Sequence, residues 1–130
     1  MALNVYTASA GSGKTHTLTR EYLRLALAYD NTPTFQGIQA VTFTNKATAE
    51  MKERIIEELH RLSVEPKDSP FFKELTSALS VTETKLKERA TKTLRALLLN
   101  YTDFRVRTID SFFQEIIRSF AHELGYSGNM

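Results

Sequence analysis

Gly11, Ser12, Gly13, Lys14 and Thr15 stand in one unbroken run behind Ala8, Ser9 and Ala10, and these residue types together suit the holding of phosphate. An anion is gripped by several backbone N–H groups only where no side chain blocks their convergence, which the two glycines and the small residues around them allow. Lys14 adds a mobile positive charge, and Thr15 a hydroxyl suited to Mg²⁺. A helix opening at this run would aim the positive end of its dipole at the same phosphates. The strict phosphate-loop pattern has Gly where this chain has Ala8, so the spacing of the Gly-Lys-Thr triplet between a strand and a helix carries the reading.

Such a loop works only if elements on either side hold it, and the flanking sequence supplies them. Leu3–Thr7 reads as a strand buried on both faces of a parallel sheet. From Thr15 to Tyr29, the residues Leu18, Tyr22, Leu25 and Tyr29 form one apolar helical stripe, closed by Asp30-Asn31-Thr32-Pro33. Gly37 precedes a second strand over 38–43, parallel to the first by right-handed crossover. A helix capped by Thr44 or Asn45 then runs to about Leu62, burying Ala47, Met51, Ile55, Leu59 and Leu62. Its Lys46, Glu50, Lys52, Glu53, Arg54, Glu57 and Glu58 read as a solvated face, with Glu50 and Arg54 spaced as an i,i+4 pair.

Further along, Ser69-Pro70 reads as the cap and first-turn proline of a short helix to about Leu79. Ser80 and Glu83 have capping-box spacing for a helix over roughly 82–100, with Leu86, Ala90, Leu94, Leu97 and Leu98 inward. A third strand is expected over Phe104–Ile109, then a helix over Phe112–Leu124 with Ser111 and Gln114 as its capping box. Phe113, Ile116, Ile117, Phe120 and Leu124 give that helix a wide apolar face, either core or exposed surface, and Gly125 ends it before a loose tail.

With 130 residues, 42% of them hydrophobic and 25% charged, the chain suits one domain with its own core. A formal charge of +2 places any nucleic-acid contact on local groups rather than on a bulk field. The absence of cysteine excludes disulfides and cysteine-zinc sites, and His16, His60 and His122 are too scattered for a ligand cluster. No secretory leader and no apolar run of membrane-spanning length is present, so the cytoplasm is the expected location.

Three stretches in one order now carry a resemblance: ASAGSGKTHTL, then AVTFTNKATAEMKERI, then RTIDSFFQEIIRSFAHELG. Together they resemble the start of a superfamily 1 DNA helicase of the UvrD/RecB type. The ASAG opening and YLRLAL are most similar to the RecB/AddA helicase–nuclease branch. The resemblance implies an α/β fold with a P-loop NTPase (RecA-like) core, an incomplete parallel sheet of about three strands flanked by helices. It makes residues 1–130 a single partial motor domain 1A, with the phosphate loop at 8–15, a second motif at 40–55 and a third at 107–125. The implied cofactors are ATP and Mg²⁺, held by Ala8, Ser9, Ala10, Gly11, Ser12, Gly13, Lys14, Thr15 and His16. Lys14 and Thr15 act on the triphosphate and metal, although the UvrD branch usually has Arg where this chain has His16.

By the same resemblance the second motif touches single-stranded DNA. Phe43 becomes a stacking platform for a base, with a buried core aromatic as the alternative, and Thr44 and Asn45 become phosphate contacts at a helix start. Thr108 and Ser111 occupy an equivalent strand-to-helix turn, where phosphate contact and simple capping explain them equally well. The implied partners are single-stranded DNA, the remainder of the helicase chain and a nuclease subunit, with a role in DNA repair.

No Asp-Glu pair follows a buried strand within these residues, and hydrolysis needs such an acid for the metal and the attacking water. The sequence is therefore expected to be an amino-terminal fragment, inactive alone and prone to self-association through an exposed sheet edge. Two other readings remain open: a single-strand-binding or assembly module with a relic phosphate loop, and a small P-loop kinase, for which neither acceptor site nor arginine-rich lid is evident.

Overall fold

The structure is a computed structural model that describes residues 12–30 and 34–125, with side chains from His16 onward. The expected strand over 3–7, loop residues Ala8–Gly11, the helix stop at Asn31–Pro33 and the tail beyond Gly125 lie outside the described residues.

Helix α1 spans Ser12–Ala26, so the helical backbone begins within the glycine-rich run rather than at Thr15. Leu18, Tyr22, Leu23, Ala26 and Leu27 are buried along it. The expected stripe is rotated from this face: Leu25 is half-buried, and Tyr29, past the helix end, is exposed. A single 3₁₀ turn at Phe35–Gly37 leads into strand β1, Gln39–Thr42. Helix α2, Asn45–Val64, follows after two residues, and Thr44 caps it by accepting from the Ala47 N–H at 3.0 Å.

Met51, Ile55, Leu59 and Leu62 line the buried side of α2 as expected, but Glu58 is buried too, a correction to its place on a solvated face. α2 packs against α1, α4 and both strands, so its buried arc is wider than one apolar stripe. The Glu58 carboxylate accepts from Arg61 at 3.1 Å, and no ion pair joins Glu50 to Arg54 among the described residues.

The Ser69-Pro70 turn precedes the next helix rather than opening it. Ser69 Oγ accepts from the Phe71 N–H at 3.2 Å, and α3 runs from Phe72 to Leu79. Ser80 takes the left-handed conformation (φ 53°) that closes α3, so it is unavailable as the next cap. Thr82 caps helix α4, Glu83–Leu99, by accepting from the Lys85 N–H at 3.2 Å. Leu86, Ala90 and Leu97 are buried as expected; Thr93 joins them and Leu98 is exposed.

Strand β2 is Arg105–Thr108, shorter than the expected strand, and Ile109 already belongs to helix α5, Ile109–Glu123. Thr108, not Ser111, caps α5: its hydroxyl accepts from the Ser111 N–H at 3.3 Å. Gly125, with φ 80°, follows the helix where a left-handed residue is needed.

β1 and β2 pair in parallel, in the register Gln39↔Arg105, Ala40↔Val106, Val41↔Arg107, Thr42↔Thr108. Ala40 and Val106 face the core with Met51 and Ile55 of α2. On the other face Arg107 pairs with Glu115 of α5, which therefore covers the sheet from the opposite side. Lys52 lies over the rings of Tyr101 and Phe104, 5.4 and 5.9 Å from their centroids, and ties α2 to the approach of β2.

Candidate nucleic-acid interface at the strand ends

Parallel strands in level register must end on the same edge, and here each hands its chain directly to a helix. Thr42 and Thr108 are paired across the sheet, α2 begins after Phe43 and Thr44, and α5 begins immediately at Ile109. The structure thus brings Phe43, Thr44 and Asn45 to one edge with Thr108 and Ser111. Two helix N-termini open there side by side, each with first-turn N–H groups in excess of what its cap can satisfy.

Phe43 is 52% exposed, which settles the choice between core aromatic and surface aromatic in favour of surface. Phe43 lies one residue beyond β1, whose Ala40, Val41 and Thr42 are all buried, so its side chain emerges where the packed strand ends. An exposed ring presents a π-face to water, on which a flat aromatic partner such as a nucleobase can stack. Thr44 and Asn45 are exposed beside it, Ser111 is exposed, and Thr108 is half-buried.

Capping and phosphate contact do not compete at these threonines. A hydroxyl has two acceptor lone pairs and one proton; the oxygens of Thr44 and Thr108 accept helix N–H groups, and their protons remain to be donated. The helix starts differ in charge. The first turn of α2 holds no acidic residue and includes exposed Lys46, whereas that of α5 holds Asp110. An anion is therefore better received at α2.

The turn between β1 and α2 is fixed by hydroxyls that sequence reading passed over. Thr42 Oγ1 lies 2.6 Å from Thr48 Oγ1, and each hydroxyl is also within hydrogen-bond reach of the Thr44 carbonyl, at 3.2 and 3.1 Å. The one available signal was a polar residue, Thr42, at an inward strand position.

For the nucleotide, Ala8–Gly11 lie outside the described residues, and Ser12–Thr15 are seen as the first turn of α1. That turn contains no acidic residue, so its donor set suits a triphosphate. His16 sets its ring 4.6 Å from that of buried Phe71, and so is engaged with the core. Among the described residues no cluster of three His, Cys, Asp or Glu could hold a metal ion, and no helix is long and apolar enough to cross a membrane.

The family model for the UvrD/REP helicase N-terminal domain matches residues 3–130. RecBCD enzyme subunit RecB of Escherichia coli (strain K12) is 34% identical over 128 residues, 91% of this chain and 10% of that protein. An ATP-dependent helicase/nuclease subunit of Lactobacillus gasseri is 35% identical over 115 residues, 88% of this chain and 7% of that protein. RecBCD enzyme subunit RecB of Buchnera aphidicola is 31% identical over 127 residues, covering 90% and 10%. The chain thus spans a tenth or less of the length of these relatives. No solved structure gives a significant match.

Proposed function

We propose that this chain, which belongs to the UvrD/REP helicase N-terminal domain family, is the nucleotide-binding and single-strand-contacting part of a cytoplasmic ATP-dependent DNA helicase acting in DNA repair. The observation that carries the reading is the edge where Thr42 and Thr108 end level, with an exposed phenylalanine leading into one of two threonine-capped helix starts. Phe43 stacks on an unpaired base, while Thr44, Asn45, Thr108 and Ser111 donate to backbone phosphates. Such contacts hold a strand without reading its sequence, as a translocating motor requires.

The nucleotide is ATP with Mg²⁺, held by the loop at 8–15 with Lys14 on the phosphates and Thr15 on the metal. When bound, it supplies the free energy for stepping. The reading assigns residues 3–7 to a further strand of an incomplete, roughly three-stranded P-loop sheet. The chain contains no Asp-Glu pair, so hydrolysis by these 130 residues alone is not expected. The partners are the rest of a helicase polypeptide and a nuclease subunit.

Fluorescence anisotropy with labelled oligodeoxythymidine tests the strand reading. The single strand should bind better than the same length of duplex, and Phe43→Ala should weaken it by about ten- to a hundredfold, the value of one base–aromatic stack. Equal binding of duplex and single strand, unaffected by Phe43→Ala, would sink it. Titration with ATP and Mg²⁺ tests the nucleotide site: binding should be lost in Lys14→Ala, and binding indifferent to that change would remove the phosphate loop from the reading.

A further inference from the structure

An exposed phenylalanine ring is unfavourable in water, and nothing in the side chain of Phe43 keeps it there. A two-residue link between a strand and a helix is a natural place for the backbone to rotate and fold an aromatic ring back onto apolar surface. What opposes this is a set of hydroxyls on either side of it. Thr42 is 2% exposed, and its Oγ1 lies 2.6 Å from Thr48 Oγ1, one turn into α2. Both oxygens also reach the Thr44 carbonyl, which in addition accepts the Thr48 N–H at 3.0 Å. Thr44 Oγ1 in turn accepts the Ala47 N–H at 3.0 Å.

Proton counting defines how the set works. Two hydroxyls have two protons for three short contacts, so one threonine donates to the other and the second donates to the Thr44 carbonyl. The last residue of β1, the cap of α2 and its first turn are thereby closed into one loop of hydrogen bonds. Phe43 is the one aromatic residue inside that loop.

We infer that the Thr42–Thr48 hydroxyl pair is a positioning device that locks the β1–α2 turn and holds the Phe43 ring outward, supplying in advance the order that a stacked base would otherwise have to impose. The ligand rests on the single-strand reading above; the device rests on the hydrogen bonds. A pre-ordered platform binds more tightly than a mobile one because less conformational freedom is lost on binding. Neither threonine needs to touch the nucleic acid.

The chain contains no tryptophan, so Phe43→Trp places one fluorophore at the platform. In that background Thr48→Val and Thr42→Val each remove one hydroxyl at nearly constant shape. Each should lower the steady-state anisotropy of the introduced indole in the free protein and weaken its quenching by oligodeoxythymidine about two- to tenfold. Combining them should add little to either alone, since both break one network. Thr48→Ser keeps the hydroxyl and should preserve both signals, and circular dichroism identifies any variant that has lost its fold. Unchanged anisotropy in both valine variants overturns the device, even if affinity falls, because the threonines would then be contacts. Lowered anisotropy with no quenching in any variant keeps the device and rejects the single-strand reading instead.

Discussion

Tyr22 shows what one hydroxyl does when the core gives it no partner. Its side chain is 2% exposed, its ring meets that of Phe104 edge-on at 5.6 Å, and its OH makes no hydrogen bond among the described residues. Burial raises its pKa well above the usual tyrosine range, since the charged phenolate cannot be solvated there. A group whose folded pKa is raised favours folding below its unfolded value, near 10, and that contribution is lost as pH climbs above it. Tyr22→Phe should therefore stabilise the chain by about 1 kcal/mol at neutral pH by removing an unpaired buried polar atom. It should also flatten the loss of stability above about pH 10 relative to the parent, read by denaturant titrations across that range. At this scale the sequence was half legible. Tyr22 was visible as core from its place in a helical stripe, and Phe43 as a surface ring only as one of two readings. Glu58 was misread because a helix covered on several sides buries charged residues that lie next to the stripe, and the Thr42–Thr48 pair was invisible because its members are six residues apart.

Among the elements, the helices and their order were legible, and the errors fell at their ends. Two N-cap candidates compete wherever Ser and Thr lie close together, and the capping-box spacing favoured the wrong one. At α4 the frame was decided by Ser80, already used in a left-handed turn to close α3, which left Thr82 to cap. At α5 it was decided by β2, whose last residue doubles as the helix cap, so no loop intervenes and Thr108 displaces Ser111. Thr108→Ala should accordingly cost about 1 kcal/mol in thermal or chemical unfolding, Thr108→Ser much less, and Ser111→Ala should be close to neutral. The reverse ranking would restore Ser111 as the cap. The sheet was less legible than the helices. Its pairing joins residues 39–42 to 105–108 across more than sixty positions, and no local pattern announces a contact of that separation.

For the whole molecule, α5 is the conspicuous feature. Phe113, Ile116, Ile117, Phe120 and Leu124 are between 47% and 61% exposed, and α5 touches the rest of the body mainly through β1 and β2. Their periodicity was plain in the sequence; whether anything covers them was not, since that depends on neighbours rather than on spacing. Exposed apolar area on this scale drives association. Static light scattering of the 130-residue chain should show mass rising with concentration, and Ile117→Lys with Phe120→Lys should return it towards monomer; a parent that stays monomeric at high concentration would contradict this. The level register of β1 and β2 has a mechanical meaning as well. Because Thr42 and Thr108 are paired neighbours in one sheet, the two strand ends are held about one strand spacing apart. The edge is therefore one rigid unit: a ligand held across both strand ends would be held by parts that cannot move independently of each other.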